Sequence, residues 1–162
     1  AQYDALTDLP NRSLFDDRLQ VALAQTERRG EGLALVFIDL DKFKPVNDTL
    51  GHAVGDALLR HVARRLKHGL RSSDPVGRVG GDEFVALLQP AASAAEVQAV
   101  AEKMCAALAQ PFALDGQSVS ISASIGVALY PHHGRDADAL ARSADAAMYR
   151  AKRAGSNQVQ FA

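Results

Sequence analysis

The chain has 162 residues, of which 48% are hydrophobic and 23% charged, and its formal net charge is -1. This composition is typical of one globular domain, and the near-zero charge excludes a broad basic surface for nucleic acid or anionic membrane. One cysteine excludes an internal disulfide framework, and no apolar stretch is long enough to cross a bilayer. We therefore expect a cytoplasmic domain, residues 1–162, without direct membrane contact. Because the chain begins with Ala1 rather than Met, we also expect a longer multidomain parent.

Helical and strand patterns alternate along the chain. Apolar residues at helical spacing predict helices over residues 11–29, 51–70 and 136–154, and a capping box at Ser93 and Glu96 predicts the start of another. The apolar run 33–38 predicts a buried strand, residues 119–129 alternate as a second strand, and residues 158–161 follow as a short last one. This order predicts an α/β fold, of the α+β two-layer type, with a central sheet flanked by helices.

Five residues, Gly-Gly-Asp-Glu-Phe at positions 80–84, separate two β-prone stretches and are called the signature below. Two glycines predict a tight β-hairpin turn, because glycine adopts positive φ without steric cost. Adjacent acids at a turn repel each other unless a cation holds them. A second acid pair, Asp39 and Asp41, ends the strand 33–38. One acid alone is better explained by turn chemistry, but two pairs beside apolar strands favour a site for a hard divalent cation.

Several motifs resemble the GGDEF domain of diguanylate cyclases, and they occur in the family's order. They are residues 4–12 (DALTDLPNR), 37–48 (FIDLDKFKPVND), 51–56 (GHAVGD), the signature, 124–128 (SIGVA) and 145–152 (DAAMYRAK). The resemblance implies a nucleotide-cyclase-like central sheet with the signature on a hairpin. It also implies condensation of two GTP molecules into cyclic di-GMP with release of two pyrophosphates. Each of two domains would hold one GTP, so the resemblance implies a transient homodimer.

The resemblance assigns roles to the acids. Asp39, the backbone carbonyl of Leu40, Asp82 and Glu83 would hold Mg²⁺, for which Mn²⁺ is a substitute. Asp82 and Glu83 would also be catalytic, and the sequence leaves open which of them accepts the proton of the attacking hydroxyl. Such chemistry requires metal ions that neutralise phosphate charge and lower the pKa of the hydroxyl.

The resemblance also assigns the nucleotide contacts. Asn47 and Asp56 would bind guanine, whose Watson–Crick edge offers one acceptor and two donors, and Lys44 would face the phosphates as a catalytic residue. Lys152 would also face the phosphates, the backbone N–H of Phe43 would help to bind them, and His52 would line the guanine pocket. Taken alone, Asn47 is better read as a turn residue, and most lysines are solvated surface charges.

A four-residue motif, from Arg71 to Asp74, matches the family's Arg-x-x-Asp site, where the product cyclic di-GMP binds and inhibits. Arg78 is assigned to the same site. An arginine offers guanine and phosphate a planar fork of donors. The alternative is an arginine at a helix end followed by a turn aspartate.

The sequence is compatible with one alternative function and excludes another. A catalytically weak domain could bind GTP or cyclic di-GMP as a regulatory module beside a phosphodiesterase domain, but the signature acids, Asp39, Lys44 and Asn47 are all present, which favours activity. A P-loop or dinucleotide-binding protein is excluded, because neither G-x-x-x-x-G-K-[ST] nor G-x-G-x-x-G occurs.

Overall fold

The central strand of the sheet is the apolar run that ends in the first acid pair. A computed structural model describes residues 2–162. Its strands are β1 (Leu33–Asp41), β2 (Val76–Arg78), β3 (Glu83–Leu88), β4 (Phe112–Leu114), β5 (Gln117–Val119), β6 (Ser122–Tyr130) and β7 (Gln158–Phe161). Its helices are α1 (Arg12–Arg29), α2 (Phe43–Leu50), α3 (His52–His68), α4 (Ala94–Leu108) and α5 (Ala137–Arg153).

Five strands form the main sheet in the order β2-β3-β1-β6-β7, and β4 and β5 form a separate hairpin. β1 pairs antiparallel with β3 and β6, whereas β7 runs parallel to β6. One face of the sheet packs against α3 and α4, and the other packs against α1 and α5. The predicted central sheet flanked by helices is therefore confirmed. No helix in residues 2–162 is long and apolar enough to cross a membrane.

The predicted strand 119–129 is wrong in one respect, because the structure divides it into β5 and β6. Val119 pairs with Phe112 in the separate hairpin, whose turn contains Asp115 and Gly116 at φ values of 48° and 76°. Val119 and Ile121 are both buried, so the alternation continues across the break. Alternating burial therefore does not distinguish one strand from two consecutive strands.

The sequence prediction also missed α2, which begins directly after β1. Lys42 adopts a φ of 62° at the start of this helix. Pro45 lies in its first turn, where the missing N–H has no partner within the helix to lose. Such a short helix shows too few apolar repeats for a period to be recognised.

The C-terminal helix lies directly on the sheet because Gly126 has no side chain. A Cβ at this position would overlap the backbone oxygen of Ala144 and the backbone nitrogen of Met148, and it would lie 2.9 Å from Met148 Cα. Lys152 stands one helical turn beyond Met148. The close approach at Gly126 therefore brings Lys152 toward the acidic end of β1. The helix ends at Arg153 and is capped at Ala154, the last residue of the predicted helix 136–154.

Candidate active site

One face of β1 changes from apolar to acidic along its length. Leu33 and Leu35 on this face are buried under α1 and α5, and Asp39 and Asp41 follow on the same face. Three neighbours join them from the flanking strands. Antiparallel pairing places Glu83 and Ser124 opposite Asp39, and Ser122 opposite Asp41. The first residues of β3 and β6 thus add one acid and two hydroxyls to the end of β1.

The carboxylates of Asp39, Asp82 and Glu83 lie close together, and one lysine is the positive charge beside Asp39. The pKa of Asp39 is raised to about 6, mainly by burial and further by the charges of Asp82 and Glu83. Lys152 opposes it, with its Nζ 3.5 Å from Asp39 Oδ2. The backbone N–H of Leu40 donates to Asp82 O at 3.1 Å and ties the signature loop to β1. The structure thus brings Asp39 together with the two signature acids, as the sequence pattern predicted that they would be neighbours.

The oxygen atoms at this site suit a hard cation that also binds ligands from outside the protein. Within residues 2–162, no group of three or more His, Cys, Asp or Glu side chains could hold a metal by itself. Asp39 and Asp82 supply carboxylate oxygens, and Leu40 supplies a backbone carbonyl. Mg²⁺ typically binds through one or two carboxylates and completes its octahedron with water and substrate phosphates. The residues present therefore suit a hard divalent cation that takes its remaining ligands from outside the protein.

The signature loop differs from the tight turn that its glycines predicted. Residues 79–82 separate β2 from β3, and neither Gly80 nor Gly81 adopts a positive φ. The loop closes instead through Val79 N, which donates to Glu83 O at 3.0 Å. A Cβ at Gly80 would lie 3.3 Å from Glu83 Cβ, which is a crowded contact. Gly80 therefore serves close packing against Glu83 rather than an unusual backbone conformation.

Asp41 is the site residue whose role the sequence prediction missed. Its side chain is 5% exposed and accepts hydrogen bonds from Ser122 Oγ and Ser124 Oγ, both at 2.7 Å. It also accepts from Lys152 Nζ and from the backbone N–H of Asn157, both at 3.1 Å. Burial raises the pKa of Asp41, but these four hydrogen bonds outweigh it and leave the pKa below its usual value.

The guanine residues that the sequence predicted lie on α2 and α3. Asn47 is half-buried in α2, and its carboxamide packs against Gly55 of α3, the neighbour of Asp56. His52 and Lys44 are exposed on the same two helices. The ring of Phe43 is buried in the core, and the residue is 8% exposed. A contact between Phe43 and a nucleotide would therefore have to use its backbone N–H.

Arg71 and Asp74 form a second polar site at the end of α3. Arg71 Nε and Nη2 donate to the two oxygens of Asp74, each at 3.0 Å, and Nη2 also donates to Pro90 O. Asp74 is buried, whereas the side chain of Arg71 is 51% exposed. The pair lines a cavity of about 130 Å³ that also meets Glu96. Asp74 thus fixes a guanidinium whose remaining surface faces solvent.

Arg78, which the sequence prediction assigned with Arg71, has other partners. Its guanidinium donates to both carboxylate oxygens of Asp4 at 2.9 and 3.1 Å and to Gly81 O at 2.8 Å. Its side chain is 16% exposed. In the described structure Arg78 therefore joins the N-terminal segment to the signature loop, and its part in product binding stays a prediction.

The comparisons with known proteins agree with one another. Residues 1–158 match the family model of the diguanylate cyclase GGDEF domain. Diguanylate cyclase TpbB of Pseudomonas aeruginosa is 49% identical over 154 residues, 94% of this chain and 35% of TpbB. The bifunctional diguanylate cyclase/cyclic di-GMP phosphodiesterase MucR of the same species is 48% identical over 161 residues, 99% of this chain and 23% of MucR.

Solved structures give the same result. The GGDEF domain of TpbB superposes with a TM-score of 0.96 at 47% identity, covering 99% of this chain and 94% of that chain. The GGDEF domain of DgcB from Caulobacter crescentus, in complex with c-di-GMP, gives 0.88 at 32% identity, covering 99% and 95%. Fold and site together define a nucleotide-cyclase-like domain with an acidic site at the end of its central strand. The chain belongs to the diguanylate cyclase GGDEF domain family. It spans about a third of TpbB and about a quarter of MucR.

Proposed function

We propose that this domain is a diguanylate cyclase, which joins two GTP molecules into cyclic di-GMP and releases two pyrophosphates. The observation that carries the proposal is the gathering of Asp39, Asp82 and Glu83 beside Lys152, in a chain of the GGDEF family. Asp39, whose pKa is raised by burial and by its two acidic neighbours, marks a place where a cationic ligand is expected. Lys152 gives the same place a positive group that suits phosphate.

The proposal gives each part of the site a task. Asp39, Asp82 and the carbonyl of Leu40 would hold Mg²⁺, which when bound neutralises phosphate charge and lowers the pKa of the attacking 3′-hydroxyl. Lys44 and Lys152 would orient the triphosphate, and Glu83 or Asp82 would accept the hydroxyl proton. Asn47 and Asp56 would hold guanine on α2 and α3. A site built to hydrogen-bond guanine in this way rejects adenine.

The direct test is incubation with GTP and Mg²⁺, followed by mass detection of cyclic di-GMP and pyrophosphate. We expect both products, none with ATP, and none after chelation of the metal. GTP binding without any product, over a wide range of protein concentrations, would contradict the cyclase and favour the regulatory module.

Each domain carries residues for one GTP, so we propose that two copies must meet face to face, as in a two-fold pair. Specific activity per mole should then rise with protein concentration. Fusion to a leucine zipper should raise it further by increasing the effective concentration of the partner. Specific activity that stays flat on dilution, while light scattering shows a monomer, would contradict this mechanism.

We also propose that the product binds at Arg71, whose guanidinium is held by Asp74 and exposed toward the small cavity. The complex of DgcB with c-di-GMP supports product binding in this family. Arg71→Ala should weaken cyclic di-GMP binding by calorimetry and relieve product inhibition, while initial rates stay nearly unchanged. The control is Arg60→Ala, an exposed arginine on α3. Equal cyclic di-GMP affinity in Arg71→Ala and the unmodified domain would refute this site.

A further inference from the structure

The carboxamide of Asn47 occupies the space that a side chain at position 55 would need. α2 and α3 meet at Gly51, which adopts a φ of 92° and turns the chain so that the two helices pack together. A Cβ built on Gly55 would overlap Asn47 Oδ1 and would lie 2.8 Å from Asn47 Cγ. Real Cβ atoms do not make contacts this short, so Asn47 and any larger residue at position 55 exclude each other in this arrangement.

Hydrogen bonds do not explain where this carboxamide lies. Asn47 Oδ1 is buried, yet it accepts no hydrogen bond from the described residues. The nearby N–H of Gly55 already donates to Gly51 O at 3.1 Å. A buried acceptor without a donor is unfavourable. Packing against the bare Cα of Gly55 therefore sets the position of the Asn47 side chain.

We infer that Gly55 is a positioning residue for nucleotide specificity, which sets where Asn47 meets the base. The inference rests on the proposed function, in which Asn47 and Asp56 hold guanine. Asp56 directly follows Gly55 on α3, so the contact at Gly55 also sets the spacing between the two base-binding side chains. Gly55 touches no substrate in this scheme and acts only through Asn47.

The test substitution is Gly55→Ala. The atoms that would collide belong to the free end of a side chain, so Asn47 can rotate away at little cost, and alanine favours a helix over glycine. We expect a melting temperature that is unchanged or higher. Affinity for an α,β-methylene analogue of GTP should fall about 3- to 10-fold, the loss of one neutral hydrogen bond. Affinity for the matching ATP analogue should not change, so selectivity for guanine falls by the same factor.

A double-mutant cycle isolates the mechanism. In an Asn47→Ala background the colliding side chain is gone, so adding Gly55→Ala should change the affinity for the GTP analogue less than about twofold. Gly69→Ala is the matched control, because Gly69 caps the same helix and a Cβ there meets only ordinary contacts at 3.6 and 3.7 Å. Calorimetry at one fixed Mg²⁺ concentration provides all the affinities.

Different results would overturn different claims. An unmodified domain without preference for the guanine analogue overturns the proposed function, and this inference with it. An unmodified domain that prefers guanine, with Gly55→Ala binding as tightly and selectively, overturns only the inference. Equal losses from Gly55→Ala with and without Asn47 also overturn it, because the effect would not pass through Asn47. Loss of the fold in Gly55→Ala would show a structural role instead.

Discussion

Asp39 and Asp41 stand two residues apart on the same face of β1, yet their surroundings are opposite. Asp41 is held by four hydrogen-bond donors, which keep its pKa below the usual value. Asp39 faces Asp82 and Glu83 and has one lysine at 3.5 Å, and its pKa rises to about 6. The same residue type therefore serves two purposes within one strand. Four hydrogen bonds from the protein satisfy Asp41, whereas Asp39 has one lysine beside it and two acids that repel it.

This difference separates an acid that stabilises the fold from the acids that we propose take part in the reaction. A carboxylate whose folded pKa is lowered stabilises the native state at neutral pH, and one whose pKa is raised destabilises it. Functional sites commonly keep such unfavourable groups, because a ligand restores the balance when it binds. Substitution of Asp39 or Asp82 should therefore lower activity without lowering stability. Substitution of Asp41 should lower the stability of the fold.

The largest expected effect is on activity, at the unsatisfied acids. Asp82→Ala should lower the rate of cyclic di-GMP synthesis by about three orders of magnitude or more, because a ligand for the catalytic metal is lost. Its unfolding free energy in EDTA should not fall, because a repulsive charge beside Asp39 is removed. Asp82→Asn is the control that keeps the shape. Turnover that persists in Asp82→Ala would remove Asp82 from the proposed metal site.

The second largest effect is on stability, at Asp41, whose carboxylate is fully hydrogen-bonded by the protein. Asp41→Ala removes the acceptor for two serine hydroxyls, for Lys152 and for the N–H of Asn157. We expect the unfolding free energy to fall by about 3–5 kcal/mol, as when one partner of a buried pair is lost. Urea unfolding in EDTA measures it.

The matched control for that prediction is Asp39→Asn in the same buffer. It removes a charge that burial, Asp82 and Glu83 all disfavour, so the unfolding free energy should stay level or rise. If Asp39→Asn and Asp41→Ala destabilise the domain equally, the distinction between the two acids is wrong.

The sequence predicted the parts of this comparison that depend on local pattern. Asp39 ends an apolar run and Asp82 follows two glycines, so both were recognisable as candidates from their neighbours. The role of Asp41 could not be predicted in this way, because its donors come from positions 81 to 116 residues later in the chain. The alternating serines were visible, but only the register of β1 against β6 places Ser122 opposite Asp41.

The limits of local pattern also explain why the sequence did not predict the Asn47–Gly55 contact, α2 and the β4–β5 hairpin. The contact between Asn47 and Gly55 needs the angle between α2 and α3, and α2 itself is too short and polar to show a helical period. The β4–β5 hairpin was missed because its last residue continues the alternation of β6. Single-sequence patterns report which residues are buried, but not which element they pair with.

The smallest expected effect extends the comparison to a third acid, Asp4, which is satisfied like Asp41. It accepts from Thr7 N at 2.8 Å, Thr7 Oγ1 at 2.6 Å and Arg78 Nη1 at 2.9 Å. Burial raises the pKa of Asp4, but these partners outweigh it and lower the pKa. A lowered folded pKa means that the stabilisation is present above the unfolded value of 3.8 and is lost as the pH falls below it.

Asp4→Asn should therefore cost about 1 kcal/mol of unfolding free energy at pH 7, the value of one hydrogen-bonded ion pair near the surface. At pH 3 the cost should shrink, because below pH 3.8 the unfolded chain binds a proton at Asp4 and the native carboxylate no longer contributes its full stabilisation. The control is Asp17→Asn, at an exposed position on α1, which should leave the unfolding free energy unchanged at both pH values. Arg78 also donates to Gly81 O, so Asp4 could act by holding Arg78 in place. A cost in unfolding free energy that stayed constant between pH 7 and pH 3 would mean that Asp4 acts in this way rather than through its own charge.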